Sequence, residues 1–478
     1  MNSKQMNTGD SYFDDQQFQD MLASYEQAVS TGEPVLMDAD ELSEIADYYQ
    51  MQGQADDAEK AIRLALSLSP GAIAPLTYRI HEALYEGDVE KAKDYLSQIT
   101  ETDAPDYVYD QAEVLLAEGK IDETDRMLRD EFLRVPPEEH QDYVVDVASL
   151  YQDWGISDKA MEWMARAKQE DTPEFKELKA RTLFGLGKYK DSEKVFNELI
   201  DSDPYQKRYW NALASAQFMR EDFNGSVQSS EYAIAIDPND PEGLIAKANA
   251  LYRLGNYEGA YDYYSRYIRL IPDDEFAYLH QATTLINLER TDEAILALEQ
   301  AKTVAEENAP SPYLADIYTE LAFAYSEKDD HDKAIAYIDL TDELDCDHAQ
   351  MLVIKGHLSI RALRFEDATA YFKQALEMSD DKLHTHLRII VSIYDNRMVE
   401  AAYKLFKQFL KDIPADFNDG YAYMAQCCYD LKKGSEFIHY LQMACKKNPQ
   451  EARLILSHLF PADVDPKDYY DYLKNLNK

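Results

Sequence analysis

Few residues of this chain have the types and spacing that catalysis or phosphate binding needs. The run at 185–188, Gly-Leu-Gly-Lys, lacks both the spacing and the following Ser or Thr of a phosphate-binding loop. His81 and Glu82 begin like a zinc-protease helix, but Tyr85 stands where the second histidine of that motif belongs. No Gly-x-Ser-x-Gly motif occurs in the chain. We therefore expect no enzymatic activity and no cofactor.

Cysteine and histidine side chains are the remaining candidates for metal binding. Four of them fall close together near the end of the chain: Cys427, Cys428, His439 and Cys445. Adjacent residues on a helix point about 100° apart, which favours core packing of these cysteines over a shared ion. His384 and His386 lie on different sides of a helix for the same reason. The sequence thus predicts no metal site, and its few cysteines, none in a Cys-x-x-Cys pair, indicate reduced thiols.

The charge of the chain is strongly negative. Its 478 residues include 91 acidic and 48 basic ones, for a formal net charge of −43. Such a chain is repelled by phosphate backbones and anionic membranes, so we expect protein partners and no nucleic acid. Acidic residues outnumber basic ones by about three to one over residues 1–170. Without a signal-peptide pattern or an apolar run of ~18 residues, we expect a cytoplasmic protein with no membrane insertion.

Small residues and prolines recur every 34 residues along the middle of the chain. The recurring positions are Ala180, Ala214, Ala248 and Ala282; Ser192, Ser226, Ala260 and Ala294; and Pro204, Pro238 and Pro272. A small residue is needed where two helices cross closely, and a proline follows the end of a helix. The period therefore predicts a series of similar helix pairs.

This pattern resembles the tetratricopeptide repeat, whose 34 residues follow W-x2-L-G-x2-Y…A-x3-F…P. One copy is carried by Trp210, Leu213, Ala214, Ser226 and Pro238. About twelve copies begin near residues 39, 73, 105, 141, 173, 207, 241, 275, 315, 349, 383 and 418. The resemblance implies an all-α fold, a right-handed α-solenoid of stacked antiparallel helix pairs. It also implies a protein-binding scaffold.

Several copies depart from the pattern. Arg79 and Ile80 replace a hydrophobic and a small residue, Ile390 takes a small position, and Phe437 replaces an alanine, so we expect looser packing there. A proline-containing insert at 309–312 suggests a boundary between two arrays. The predicted segments are an N-terminal amphipathic cap (1–38), a first array (39–308), a second array (309–449) and C-terminal capping helices (450–478).

The resemblance implies that the first helix of each pair lines a concave groove. A ladder of large side chains recurs near the end of these helices: Phe184, Phe218, Tyr252, Ile286, Ile360, Tyr394 and Tyr429. Arginines occur on the same helices: Arg181, Arg208, Arg253, Arg361 and Arg388. Together they suit a partner segment that carries hydrophobic residues and carboxylates. The alternative is that the ladder packs against neighbouring helices as core.

The amino-terminal first helices carry acidic residues instead: Asp40, Glu44, Asp47, Asp106, Glu113, Asp142 and Asp153. These would prefer a basic partner, unless they form an ordinary solvated face. The paired Lys and Asn residues that clamp chaperone tails in this family are incomplete, because Ser215 and Ile245 take two of their places.

Three functions remain open from the sequence. The first is an adaptor that holds a peptide or helix of a partner in its groove. The second is an acidic chaperone or regulator that shields a basic protein. The third is an enzyme with an unrecognised site.

Overall fold

The computed structural model describes residues 12–13, 15–308, 310–461 and 463–476. Over these residues the chain is helical, with short connections and no strand. It divides into two compact units, Met1–Pro238 and Asn239–Lys478, and each is described by itself. None of the described helices is long and apolar enough to cross a bilayer.

The first unit contains thirteen α-helices among its described residues. They are α1 (Gln16–Thr31), α2 (Ala39–Met51), α3 (Ala55–Leu68), α4 (Ile73–Tyr85), α5 (Val89–Leu96), α6 (Pro105–Ala117), α7 (Ile121–Phe132), α8 (His140–Asp153), α9 (Ser157–Met164), α10 (Pro173–Gly185), α11 (Tyr189–Ser202), α12 (Lys207–Met219) and α13 (Phe223–Ile236). From α2 onward the helices alternate between first and second members of antiparallel pairs.

The second unit contains fourteen α-helices over the part of the chain that the structure describes. They are α14 (Pro241–Arg253), α15 (Tyr257–Leu270), α16 (Glu275–Asn287), α17 (Thr291–Glu307), α18 (Leu314–Glu327), α19 (His331–Asp339), α20 (His348–Arg361), α21 (Phe365–Met378), α22 (Lys382–Asp395), α23 (Val399–Asp412), α24 (Tyr421–Asp430), α25 (Gly434–Lys447), α26 (Pro449–Leu456) and α27 (Tyr469–Leu476). The predicted all-α solenoid class is thus confirmed, and the first helices begin within three residues of the predicted starts.

Local signals set the ends of these helices. The Asp38 carboxylate accepts the N–H of Glu41, whose own carboxylate accepts the N–H of Asp38, so α2 begins with a capping box. The turn inside a pair needs one residue with positive φ. In the first unit this is a glycine after α2, where Gly53 has a φ of 70°, and a glutamate after α12, where Glu221 has a φ of 62°.

The residues at the predicted helix crossings are buried. Ala214, Ala248, Ala282 and Ser226 have no exposed surface, which confirms that small side chains recur at these contacts. At Gly356, a β-carbon added to the glycine would lie 2.2 Å from the ring of Phe372, so the helices approach too closely there even for alanine.

Both ends of the described chain pack onto the adjoining helix pair. Phe18, Leu22 and Tyr25 of α1 are buried against α2 and α3, so α1 has one apolar face packed on the first helix pair. At the other end, the rings of Phe460 and Tyr469 stack with centroids 3.9 Å apart.

The cysteines of the last repeat belong to the core of the second unit. Cys427, Cys428 and Cys445 are buried among its apolar side chains, which confirms that they are core residues. Burial raises the pKa of Cys428 to about 11, so this thiol is neutral at pH 7. The predicted segment bounds at 38, 308 and 449 are not tested by the structure and stay predictions. The two compact units divide between residues 238 and 239.

Candidate functional site

A groove with a volume of about 550 Å³ lies on the first helices of the first four pairs, α2, α4, α6 and α8. We call it the acidic groove, because nine of its lining residues are carboxylates: Asp40, Glu44, Asp47, Glu82, Asp106, Asp110, Glu113, Asp146 and Asp153. The members on one helix follow a spacing of three or four residues, as in Asp40, Glu44 and Asp47 of α2. This spacing places them on one face of each helix.

The repeat fixes which positions face the groove. In α2, α4, α6 and α8 the crossing residues are Ala46, Ile80, Ala112 and Ala148, which have no exposed surface. The residue directly after each of them lines the groove: Asp47, His81, Glu113 and Ser149. So does the residue two before the crossing: Glu44, Tyr78, Asp110 and Asp146. Because successive first helices lie side by side, residues about one repeat apart in sequence become neighbours on this wall.

Few cations compensate the acidic groove. Among the described residues that line it, there is one histidine and neither lysine nor arginine. From outside the lining, Arg79 lies 2.7 Å from the carboxylate of Glu82, and Arg181 lies 2.9 Å from that of Asp153. The groove therefore keeps a large excess of negative charge.

Burial raises the pKa of two carboxyls in the acidic groove. Desolvation raises the pKa of Asp47 to about 6, and the neighbouring charge of Glu44 adds to the effect. Desolvation likewise raises the pKa of Asp110 to about 6, against a hydrogen bond from Thr77 and the nearby His81. These carboxylates hold their charge at neutral pH at a cost in free energy, which a bound cation would reduce.

His81 lies at the centre of the acidic groove, where α4 and α6 meet. Its Nε2 atom is 2.7 Å from Oε2 of Glu113 and 3.9 Å from Oδ1 of Asp110. The hydroxyl of Thr77 donates to the other oxygen of Asp110 at 2.5 Å. Burial opposes the charge of Glu113, but the hydrogen bond from His81 and its charge outweigh this, so the pKa of Glu113 is lowered.

Tyrosines complete the lining of the acidic groove. Tyr78 and Tyr109 are half-buried in the wall, whereas Tyr85 is 96% exposed at the end of α4. An exposed ring beside carboxylates suits a cationic side chain, because the ring face attracts positive charge as the carboxylates do.

The sequence identified much of this surface in advance. Six of the seven acidic residues predicted for the amino-terminal wall line the groove, and Asp142 is exposed outside the lining. Asp110, Asp146, Glu82 and His81 were missed as part of it. The two offsets from the crossing residues would have predicted Asp110, Asp146 and His81, but not Glu82.

Three residues of the predicted ladder, Phe184, Phe218 and Tyr252, pack against the first residue of the second helix in their pair. In the first unit, the rings of Phe184 and Tyr189 have centroids 5.3 Å apart, and those of Phe218 and Phe223 are also 5.3 Å apart. Both Phe184 and Phe218 are half-buried, and each contacts the first residue of the following helix. These contacts are of the kind that core packing requires.

The ladder residues of the second unit vary in solvent exposure. Tyr252 packs on Tyr257 with centroids 5.6 Å apart, and Ile286 is half-buried against the core. Ile360 is 7% exposed, Tyr429 is 49% exposed, and the Tyr394 hydroxyl donates to Asp430 at 2.6 Å. These contacts do not test binding of a partner, so the role of the ladder in a groove stays a prediction.

The predicted arginines are exposed, and several meet acidic neighbours. Besides Arg181, Arg208 lies 3.1 Å from Glu177, and Arg388 lies 3.5 Å from Asp347. Arg253 and Arg361 are exposed near the ends of α14 and α20. Their part in binding also stays a prediction.

A second concavity, of about 740 Å³, lies within the second unit. Its floor is mainly apolar and includes Val353, Leu387 and Val391. Its lining also contains Arg388 and three carboxylates, Asp395, Asp419 and Glu451. Burial lowers the pKa of the lining His357 to about 4, so this histidine is neutral at pH 7.

Comparisons with known proteins agree with the repeat. Residues 209–301 match the family described as anaphase-promoting complex, cyclosome, subunit 3, and residues 315–345 match the family described as tetratricopeptide repeat. None of the curated proteins matches the chain. With the repeated helix pairs, these matches identify the chain as a tetratricopeptide-repeat protein.

Several solved structures are similar to parts of the chain. PilF of Pseudomonas aeruginosa is 15% identical over 45% of this chain and 94% of its own, with a TM-score of 0.37. MamA of Desulfovibrio magneticus is 21% identical over 37% and 97%, with a TM-score of 0.34. YrrB, described as a TPR protein with an unusual peptide-binding site, is 15% identical over 40% and 95%, with a TM-score of 0.34. Repeat proteins of this class serve in general as scaffolds for protein interactions.

Proposed function

We propose that this chain is a protein-interaction scaffold whose acidic groove holds a lysine- or arginine-rich segment of a partner protein. The observation that carries the proposal is the convergence of nine carboxylates on one concave wall, with Asp47 and Asp110 partly or fully withdrawn from solvent. A cationic segment would supply the charge that the wall lacks.

The shape of the groove suits an extended segment. Its lining residues come from four successive first helices, so cationic side chains spaced along a peptide meet one helix after another. Tyr85, which is exposed, offers a ring face beside the carboxylates, and a guanidinium stacked on this ring keeps part of its affinity at high salt.

The test is fluorescence anisotropy with a labelled arginine- and lysine-rich peptide, compared with a peptide in which glutamate replaces the basic residues. The double variant Glu44→Gln, Asp47→Asn removes two charges from α2. We expect it to weaken binding of the basic peptide about tenfold, which corresponds to ~1.4 kcal/mol.

The matched control is Asp94→Asn, Asp130→Asn. It removes two charges from the exposed sides of the second helices α5 and α7, outside the groove. We expect this control to change binding less than about twofold, because long-range charge is screened beyond ~10 Å at 0.1 M salt. Equal losses in both double variants, or equal binding of the glutamate peptide, would contradict the proposal.

The second unit favours a second candidate function. Its concavity joins an apolar floor to a polar lining that includes Arg388 and three carboxylates, which fits an adaptor that binds the hydrophobic side of an amphipathic segment. Val391→Asp on the floor should abolish capture of such an amphipathic peptide, whereas Leu363→Asp, which is exposed outside this concavity, should not. Unchanged binding by Val391→Asp would exclude this candidate.

A further inference from the structure

Three side chains in the acidic groove present ligand atoms to one point. His81 extends from α4, while Asp110 and Glu113 lie one turn apart on α6. One nitrogen of His81 and one oxygen of each carboxylate lie within 4.8 Å of one another. Two rigid helices therefore hold the cluster.

The carboxylate of Asp110 is buried, and its two oxygens have different surroundings. Its side chain is 3% exposed, and Thr77 donates to Oδ2 at 2.5 Å. Oδ1 faces Nε2 of His81 from 3.9 Å, which exceeds the length of a hydrogen bond. A buried charged oxygen is thus aimed at the point where the other two ligand atoms lie.

The structure assigns a divalent-cation site to His81, Asp110 and Glu113, with Zn²⁺ the ion that the donor set fits best. One imidazole nitrogen and two carboxylate oxygens suit a first-row transition metal, whereas Ca²⁺ and Mg²⁺ prefer oxygen ligands alone. Three protein ligands leave at least one position for water or for a group from a partner. This inference goes beyond the proposed function and does not depend on it.

Binding requires only a local adjustment. The 2.7 Å contact between Nε2 of His81 and Oε2 of Glu113 is a hydrogen bond, in which the imidazole N–H donates to the carboxylate. An ion takes the place of this proton on Nε2, and the ring keeps one proton on Nδ1 as a neutral imidazole. An imidazolium therefore releases one proton to solvent, whereas a neutral ring only changes its tautomer. Ligand bonds of about 2.0–2.2 Å then draw Oδ1 of Asp110 inward, while Thr77 keeps hold of Oδ2 as a positioning residue.

The surrounding charge favours the ion as well. Asp47 contributes to the electrostatic environment of His81, and Asp106 and Glu113 to that of Asp110. A cation placed among them relieves like-charge repulsion. An ordinary ion pair between His81 and Glu113 is the competing explanation, and it needs no metal.

Isothermal titration calorimetry of the full chain, cleared of metal with a chelator, tests the site with Zn²⁺ alone. We expect one equivalent to bind, and Co²⁺ at the same site to show the visible absorption of a low-coordinate complex. Asp110→Asn and His81→Ala should each weaken Zn²⁺ binding at least tenfold, and Thr77→Val about tenfold.

The matched control is Asp153→Asn, which removes one charge from the same groove but lies opposite Arg181. We expect less than about a threefold loss of Zn²⁺ affinity there, since only diffuse attraction changes. Circular dichroism shows whether each variant is folded. If His81→Ala does not fold, Thr77→Val still tests the site, because it retains all three ligands.

Absence of Zn²⁺ binding, or an equal loss in Asp153→Asn, would overturn the metal site. Neither result affects capture of the basic peptide, which is measured without metal and with variants of α2. Conversely, if the basic peptide does not bind to the acidic groove, the Zn²⁺ titration still tests the metal site.

Discussion

Asp110 is an aspartate whose side chain is 3% exposed and whose pKa is raised to about 6 by burial. In the unfolded chain its pKa returns to near 3.8. Between these values the native state binds more protons than the unfolded state, so stability falls as pH rises through this window. The penalty is complete above the native pKa and disappears below the unfolded one.

Asp110→Asn should therefore stabilise the fold at pH 8 by about 1–3 kcal/mol, since a pKa raised from 3.8 to about 6 corresponds to at most ~3 kcal/mol. The amide oxygen still accepts the hydrogen bond from Thr77. Urea denaturation at pH 8 and pH 5 measures the effect, and the gain should shrink at pH 5. Asp153→Asn, on an exposed carboxylate paired with Arg181, should give no such gain. A destabilised Asp110→Asn at pH 8 would contradict the assigned cost of burial.

The turns between paired helices determine how each pair closes. After α14 the turn residue is Gly255, with a φ of 74°, whereas after α20 it is Leu363, with a φ of 59°. A left-handed backbone costs a residue with a β-carbon roughly 1–2 kcal/mol, and glycine avoids that cost. The side chain of Leu363 is 75% exposed, so it contributes little packing in return.

Leu363→Gly should accordingly stabilise the second unit by about 0.5–1 kcal/mol, after the entropic cost of glycine is subtracted. The matched reverse change, Gly255→Leu, should destabilise it by about 1 kcal/mol. Chemical denaturation of both variants measures the difference. If Leu363→Gly instead lowers stability, the side chain of Leu363 contributes more packing energy than its exposure indicates.

At the scale of the whole molecule, a net charge of −43 makes the folded chain repel itself. Salt screens this repulsion, and the screening length falls from about 30 Å at 0.01 M to 8 Å at 0.15 M. We expect the melting temperature at pH 8 to rise by several degrees over this range of sodium chloride.

The control is the same series closer to the isoelectric point of about 4.5, where the net charge is small and the gain from salt should vanish. Differential scanning calorimetry measures both series. A melting temperature at pH 8 that does not respond to sodium chloride would show that the acidic residues are too far apart, or too well paired, to destabilise the fold.

The sequence by itself determined the repeat, because its signals are local. A small residue at a helix crossing and a proline after the pair recur at fixed offsets, and together they located the first helices. The same local reasoning favoured core packing for the buried cysteines.

Only the tertiary structure decided which residues meet. His81 stands in a repeat that departs from the pattern at Arg79 and Ile80. Counting from the crossing position places it on the groove face, but the count does not give its distance from the carboxylates of α6. The structure shows Arg79 bound to Glu59 and Glu82, Ile80 buried, and His81 therefore turned toward α6. It also places Phe184, Phe218 and Tyr252 of the ladder against the first residue of the following helix. The physical reason is that period and composition fix each helix, whereas the rotation of one helix against the next depends on packing between residues about one repeat apart.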